Sequence, residues 1–128
     1  MSNTAKLQVP NTVRNEMIDT IIDSIRDIKG KNIVQLDLRG LPDAPTDQFI
    51  ICEGDSTTQV KAIADRVHWR LKNELGEYPN HVEGTRQSSW VCLDYFNVVV
   101  HVFHKETRGF YDLEDLWSDA EVTEYASL

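Results

Sequence analysis

Apolar residues recur at spacings of three and four along the first third of the chain. Val13, Met17, Ile18, Ile21, Ile22, Ile25 and Ile28 fall on one side of a helix, and Glu16, Asp19, Asp23 and Asp27 lie elsewhere on its surface. Asn11 or Thr12 can cap its start, and Lys29-Gly30 can end it with a cation against the dipole and a residue tolerant of left-handed backbone. The period then changes. Ile33 to Leu38 predicts a strand, Arg39 to Asp47 (with Gly40, Pro42 and Pro45) a loop, and the apolar run Gln48 to Cys52 a central strand buried on both faces. Gly54-Asp55-Ser56 turns into a second helix whose stripe is Val60, Ile63, Ala64, Val67, Leu71 and Leu75, with Gly76 as its stop.

After a short segment over Pro79 to Glu83 and a glycine-containing loop over Gly84 to Ser88, the period is that of a hairpin. Trp90 to Asp94 and Val98 to Phe103 are strands joined by Tyr95-Phe96-Asn97. Phe110 to Trp117 reads as a short helix or turn that packs Leu113, Leu116 and Trp117 down. Helices and strands do not strictly alternate, so the pattern predicts an α/β (α+β) mixed sheet flanked by helices rather than a doubly wound dinucleotide fold. The chain divides into a flexible tail over residues 1–11, one domain over 12–120 and an acidic tail over 121–128.

Composition agrees with one folded domain: 128 residues, 41% apolar and 27% charged. No apolar run approaches the roughly 18 residues that a membrane span needs. The opening MSNTAKLQVP carries no export or organellar pattern, so a cytoplasmic location is expected. In that setting Cys52 and Cys92, each inside an apolar strand, are expected to be reduced thiols. The net charge of −8 disfavours nucleic acid as the primary ligand and suits a basic protein partner. From Glu106 onward there are seven acids against Arg108 alone, which accounts for −6 of that total.

The best candidate for chemistry is Gly54-Asp55-Ser56, because a Gly-Ser turn at a helix start can offer backbone N–H groups to a phosphate. Nucleotidyl transfer also needs two carboxylates on a neighbouring strand to hold metal ions. The later strands supply only the isolated Glu83 and Asp94, and a glycine turn with an ordinary helix cap is the better account. His101 and His104, three apart in a strand, face opposite ways and cannot share an ion. No cofactor, metal or catalytic residue is therefore expected. Interaction features are stronger. Trp90, Cys92 and Asp94 share one face of the hairpin and Val91 and Leu93 the other, and both faces are apolar enough to need cover. Trp90 on such a face is a candidate anchor for a partner.

Taken in order, several motifs resemble the ribosomal silencing factor (Iojap-like) family. They are Asp37; Thr46-Asp47 with Phe49, Ile51, Gly54, Ser56 and Gln59; Glu83-Gly84; Trp90 with Asp94; Val98 to Phe103 containing His101; and Arg108, Phe110-Tyr111, Leu113-Glu114, Leu116-Trp117 and Asp119. The resemblance covers about residues 13–120. It implies a nucleotidyltransferase-like fold without the catalytic carboxylates. It also implies a translational repressor that binds the large ribosomal subunit through its protein fourteen and blocks joining of the small subunit when nutrients are scarce. Contact residues carried over are Trp90, Asp94 and His101, with Arg108 and Tyr111. Family members form dimers, so a homodimer stays open, as does a nucleotide-binding enzyme using Gly54 to Ser56. The acidic end would steer the domain toward basic ribosomal protein. One departure stands out: relatives commonly have glycine in the hairpin turn, where this chain has Phe96. A bulky residue disfavours positive φ, so either Asn97 takes that conformation or the turn differs.

Overall fold

A computed structural model describes residues 11–128, with side chains from Asn15 onward. The expected tail over residues 1–11 lies outside this range except for Asn11, the first residue of α1 (Asn11–Asp27); the side chains proposed to cap that helix also lie outside it. The elements that follow are β1 (Lys31–Asp37), β2 (Gln48–Gly54), α2 (Thr57–Arg70), a π-helical turn (Leu71–Leu75), β3 (His81–Glu83), β4 (Trp90–Asp94), β5 (Val98–His104), α3 (Lys105–Tyr111), α4 (Leu113–Leu116) and β6 (Glu121–Tyr125).

All six strands form one mixed sheet in the order β3-β4-β5-β2-β1-β6, with β2 and β5 parallel and the other neighbours antiparallel. The continuous apolar runs of β2 and β5 take the two central places and are buried almost throughout. That is the environment such runs require, since alternation is useful only where one face meets water. Helices α1 and α2 cover one face. Met17, Ile18, Ile21, Ile22 and Ile25 of α1 and Val60, Ile63, Ala64 and Val67 of α2 pack there on Ile50, Cys52, Val91, Leu93, Val98, Val100 and Val102. The other face carries Phe49, Ile51, Val99 and Phe103, closed over by Leu41, Ala44, Leu113, Trp117 and Ala120. Burial of each large aliphatic side chain contributes roughly 1.5–3 kcal/mol, so packing on the sheet holds these helices more firmly than propensity does.

Several local expectations are corrected. Lys29, not Gly30, takes the left-handed conformation that ends α1, at φ 64°. Gly30 is needed for closeness instead, because a Cβ there would collide with Ile25 Cγ2. The second helix stays α-helical only to Arg70 before the wider turn that Gly76 ends at φ 67°. Leu116 is exposed, so only Leu113 and Trp117 of the three pack inward. The expected acidic tail contains β6, which pairs with β1 from Ile33↔Tyr125 to Asp37↔Glu121. It therefore lies at the opposite edge of the sheet from β3, with β2 and β1 between it and the hairpin, not beside the hairpin.

The hairpin closes in an unusual way. Phe96 itself takes φ 77°, and the Asn97 N–H bonds to Tyr95 O at 2.9 Å, a three-residue γ-turn. Such a conformation in a bulky residue costs on the order of 1–3 kcal/mol and persists only where its surroundings impose it. Here they do. Asp94 Oδ1 accepts the Phe96 N–H at 2.8 Å, and Thr46 Oγ1 donates to Phe96 O at 2.7 Å.

Candidate functional site

Strand β4 starts at Trp90, directly opposite Phe103 of β5. The indole stacks on the Phe103 ring at 4.8 Å between centroids and reaches diagonally to His101, donating its Nε1–H to His101 Nδ1 at 3.0 Å. Diagonal neighbours on an antiparallel pair lie within reach of side chains this long. From α3, Tyr111 closes against the indole at 4.7 Å, and Phe110 meets Tyr111 edge-on at 5.1 Å. The outer rings are open to water, with Tyr111 51% and Phe110 81% exposed. Ser89, Trp90, Glu106, Thr107, Phe110 and Tyr111 line an open depression between the strand and the helix. The result is an aromatic ledge, half buried at Trp90 and open at Tyr111 and Phe110.

The five residues singled out from the sequence divide into distinct placements. Trp90, His101 and Tyr111 come together. His101 lies beneath the ledge at 6% exposure, with the Phe49 ring perpendicular to it at 4.4 Å. Because its Nδ1 accepts from Trp90, the imidazole is neutral with its proton on Nε2, a buried nitrogen without a partner among the described residues. Burial pushes its pKa down to about 4, since the charged form would lose its water. Asp94 sits at the far end of β4, holding the hairpin turn. Arg108 points inward at 8% exposure, and its guanidinium donates to Asn32 O at 2.6 Å, Glu53 Oε1 at 3.1 Å and Glu114 Oε2 at 2.7 Å. It ties α3 to β1 and β2 and so sets where Tyr111 stands.

Two further residues shape the ledge. Gly84, at φ 88°, brings the β3–β4 loop so close that a Cβ would overlap Trp90 O. Glycine before an aromatic strand was the available signal, and its reason is this backbone approach. Phe110 belongs to the Phe-Tyr pair but drew no separate attention, because neighbours in a helix point about 100° apart and the sequence does not say which faces out.

The Gly54-Asp55-Ser56 turn is satisfied from within. Ser56 Oγ accepts the Gln59 N–H at 3.1 Å, and Gln59 Oε1 accepts the Asp55 N–H at 2.7 Å. Asp55 pairs with Lys31 at 3.0 Å, and Gln59 Nε2 donates to the carbonyls of Ile28 and Lys29. The Asp55 and Gln59 N–H groups are thus engaged in an ordinary helix cap. Cys52 and Cys92 are free thiols on opposite faces of the sheet, with pKa values pushed by burial up to about 12 and about 11. Among the described residues there is no His/Cys/Asp/Glu group able to hold a metal and no helix long and apolar enough to cross a membrane.

Comparison with known proteins decides the family. The family model described as "Ribosomal silencing factor during starvation" matches residues 11–128. The chain belongs to the ribosomal silencing factor family. It is 38% identical over 109 residues to the "Ribosomal silencing factor RsfS" of Halalkalibacterium halodurans, covering 85% of this chain and 92% of the relative. To the protein of the same name in Bacillus subtilis it is 40% identical over 98 residues, covering 77% and 81%. A crystal structure of a Chromobacterium violaceum protein superposes with a TM-score of 0.76 at 39% identity, covering 81% of this chain and 85% of that one. In this member of the family, several of the motifs that signal it fall on three parts of the fold: the capped turn after β2, the hairpin face under Trp90, and the Arg108 tie that carries the aromatic pair of α3.

Proposed function

We propose that the chain is a cytoplasmic translational repressor that binds the large ribosomal subunit through its protein fourteen. By occupying that surface it blocks joining of the small subunit and lowers translation under nutrient limitation. The relatives named as ribosomal silencing factors support this reading, and the observation that carries it to particular residues is the ledge of Trp90, Tyr111 and Phe110. Large rings held rigid at one edge and open at the other are what interface anchors look like. Trp90 and Tyr111 make the contact in this reading. His101 and Arg108 act through them, the first by fixing the indole and the second by fixing α3, while Asp94 contributes at the far end of the strand. The fold is read in the same way as nucleotidyltransferase-like without its catalytic carboxylates, and the chain as a non-enzyme, a reading supported by the helix cap that Ser56 and Gln59 build at the turn.

The test is sedimentation with separated subunits and with intact ribosomes. The protein is expected to travel with isolated large subunits and not with joined ribosomes; equal binding to both, or to neither, sinks the proposal. Tyr111→Ala is expected to weaken large-subunit binding by ~2 kcal/mol, about thirtyfold, with thermal stability little changed because the ring is half exposed. Trp90→Ala is expected to lose both binding and stability, since the indole also stacks on buried Phe103.

A further inference from the structure

The ledge does not account for Phe96, whose side chain is 69% exposed on a backbone at φ 77°. Strain normally remains where something is gained by it, and an exposed ring gains the fold little burial. Yet the position is heavily imposed: Asp94 holds the Phe96 N–H, Thr46 its carbonyl, and the Asn97 carbonyl accepts the Gln48 N–H at 3.1 Å. The effect is to stand a phenyl ring at the mouth of an open groove between the hairpin turn and the loop after β1. Leu41, Ala44 and Pro45 form its apolar wall over buried Leu38, Thr46 and Asn97 line it with polar groups, and Asp47 and Asp94 stand at its edge. Arg39 also borders the groove, but its guanidinium is engaged by the Asp37 carboxylate at 2.9 and 2.7 Å.

This groove lies on the same side of the sheet as the ledge, because Leu38, Leu41 and Ala44 belong to the cluster that contains Trp90. Asp94 joins the two: it is on the Trp90 face of β4 and it borders the groove. Four residues of strand separate them, about 13 Å, well within the span of one protein interface.

We propose that Phe96 and this groove form a second anchor of the docking face, receiving an apolar side chain flanked by basic groups on the large-subunit protein that meets Trp90 and Tyr111. The inference rests on the ribosome-binding reading above. An apolar wall selects the side chain, the acidic edge at Asp94 selects its basic neighbours, and the exposed phenyl ring offers a face to either.

Phe96→Gly separates a binding role from a structural one. Glycine accepts φ 77° without strain, so the denaturation midpoint is expected to hold or rise slightly, while affinity for isolated large subunits falls roughly tenfold. As a second measurement, p-benzoylphenylalanine at position 96, irradiated with isolated large subunits, is expected to crosslink to a large-subunit protein. Unchanged affinity of the glycine variant, a marked loss of its stability, or crosslinking to ribosomal RNA alone would each overturn the proposal. If the unaltered protein fails to bind large subunits, the functional reading falls and this inference with it. If the unaltered protein binds, Tyr111→Ala binds weakly and Phe96→Gly binds normally, only this inference falls.

Discussion

His101 carries a physical demand that nothing on the surface reveals. Its Nδ1 must stay unprotonated to accept from Trp90, and its Nε2 lies buried without a partner among the described residues. The folded protein therefore favours the neutral ring, with a pKa of about 4 against 6.5 for a free one. Between those values the unfolded chain binds the extra proton, so this contribution to stability is complete above about pH 6.5 and is lost as pH falls toward 4. The full difference amounts to about 3 kcal/mol. Asp55 and Glu74 act in a lower window: the hydrogen bonds from Lys31 and Arg70 respectively hold their carboxyls below the usual range, so their support fades only as those groups protonate. Urea denaturation of the wild type should show stability dropping between pH 6.5 and 4.5, and His101→Gln should flatten that drop. An unchanged slope in the variant would show that His101 does not carry it. In the sequence, alternation along β5 set His101 on one face with Phe103, and the hairpin register makes that the Trp90 face. It could not tell whether the ring faces a partner or supports the indole, because that depends on what α3 and Phe49 place over it.

At the scale of elements, the β3–β4 loop is as much a part of the ledge as the strand it precedes. Two constraints meet at Gly84: left-handed backbone and near contact with Trp90 O. Gly40 has the first constraint alone, at φ 85° with nothing within 4 Å of where a methyl group would stand. Gly40→Ala is therefore expected to cost about 1 kcal/mol from strain, and Gly84→Ala at least about 2 kcal/mol together with weakened subunit binding, as the loop withdraws from Trp90. Denaturant midpoints and sedimentation of the two variants check this; equal costs would mean that the close approach is relaxed cheaply. The elements legible in advance were those with strong periodicity, namely α1, β2, α2 and the hairpin β4–β5, whose faces divide between the two cores as alternation requires. Strand β6 was not legible. An edge strand with one neighbour is mostly exposed, and Glu121-Val122-Thr123-Glu124-Tyr125 shows neither an apolar run nor enough alternation to stand out from a tail. The γ-turn was equally hidden, since Phe96 adopts a conformation that its own preferences oppose.

For the whole molecule, finding β6 at the far edge alters what the acidic end does. Seven acids against one base after residue 105 suggested a steering segment beside the hairpin; the last of them instead lie on the strand that closes the opposite edge. That strand supports the fold directly. Its backbone pairs with β1, the Tyr125 hydroxyl donates to Gln35 Oε1 at 2.5 Å, and Arg26 Nε donates to Ala126 O at 2.9 Å. Removing residues 121–128 would leave β1 as an open edge, unprotected against pairing with other chains. Truncation after Ala120 is thus expected to cost about 3 kcal/mol, from lost hydrogen bonds and Tyr125 burial, and to promote aggregation. Glu121→Gln with Glu124→Gln keeps the strand and removes only charge. It should leave the denaturation midpoint unchanged while lowering the rate of association with large subunits at low salt and reducing the salt dependence of that rate. A truncated chain as stable as the parent would return the segment to the status of a tail. A charge-neutralised strand with unaltered association kinetics would confine its role to the sheet, leaving attraction to the partner with the acids near the ledge and the groove.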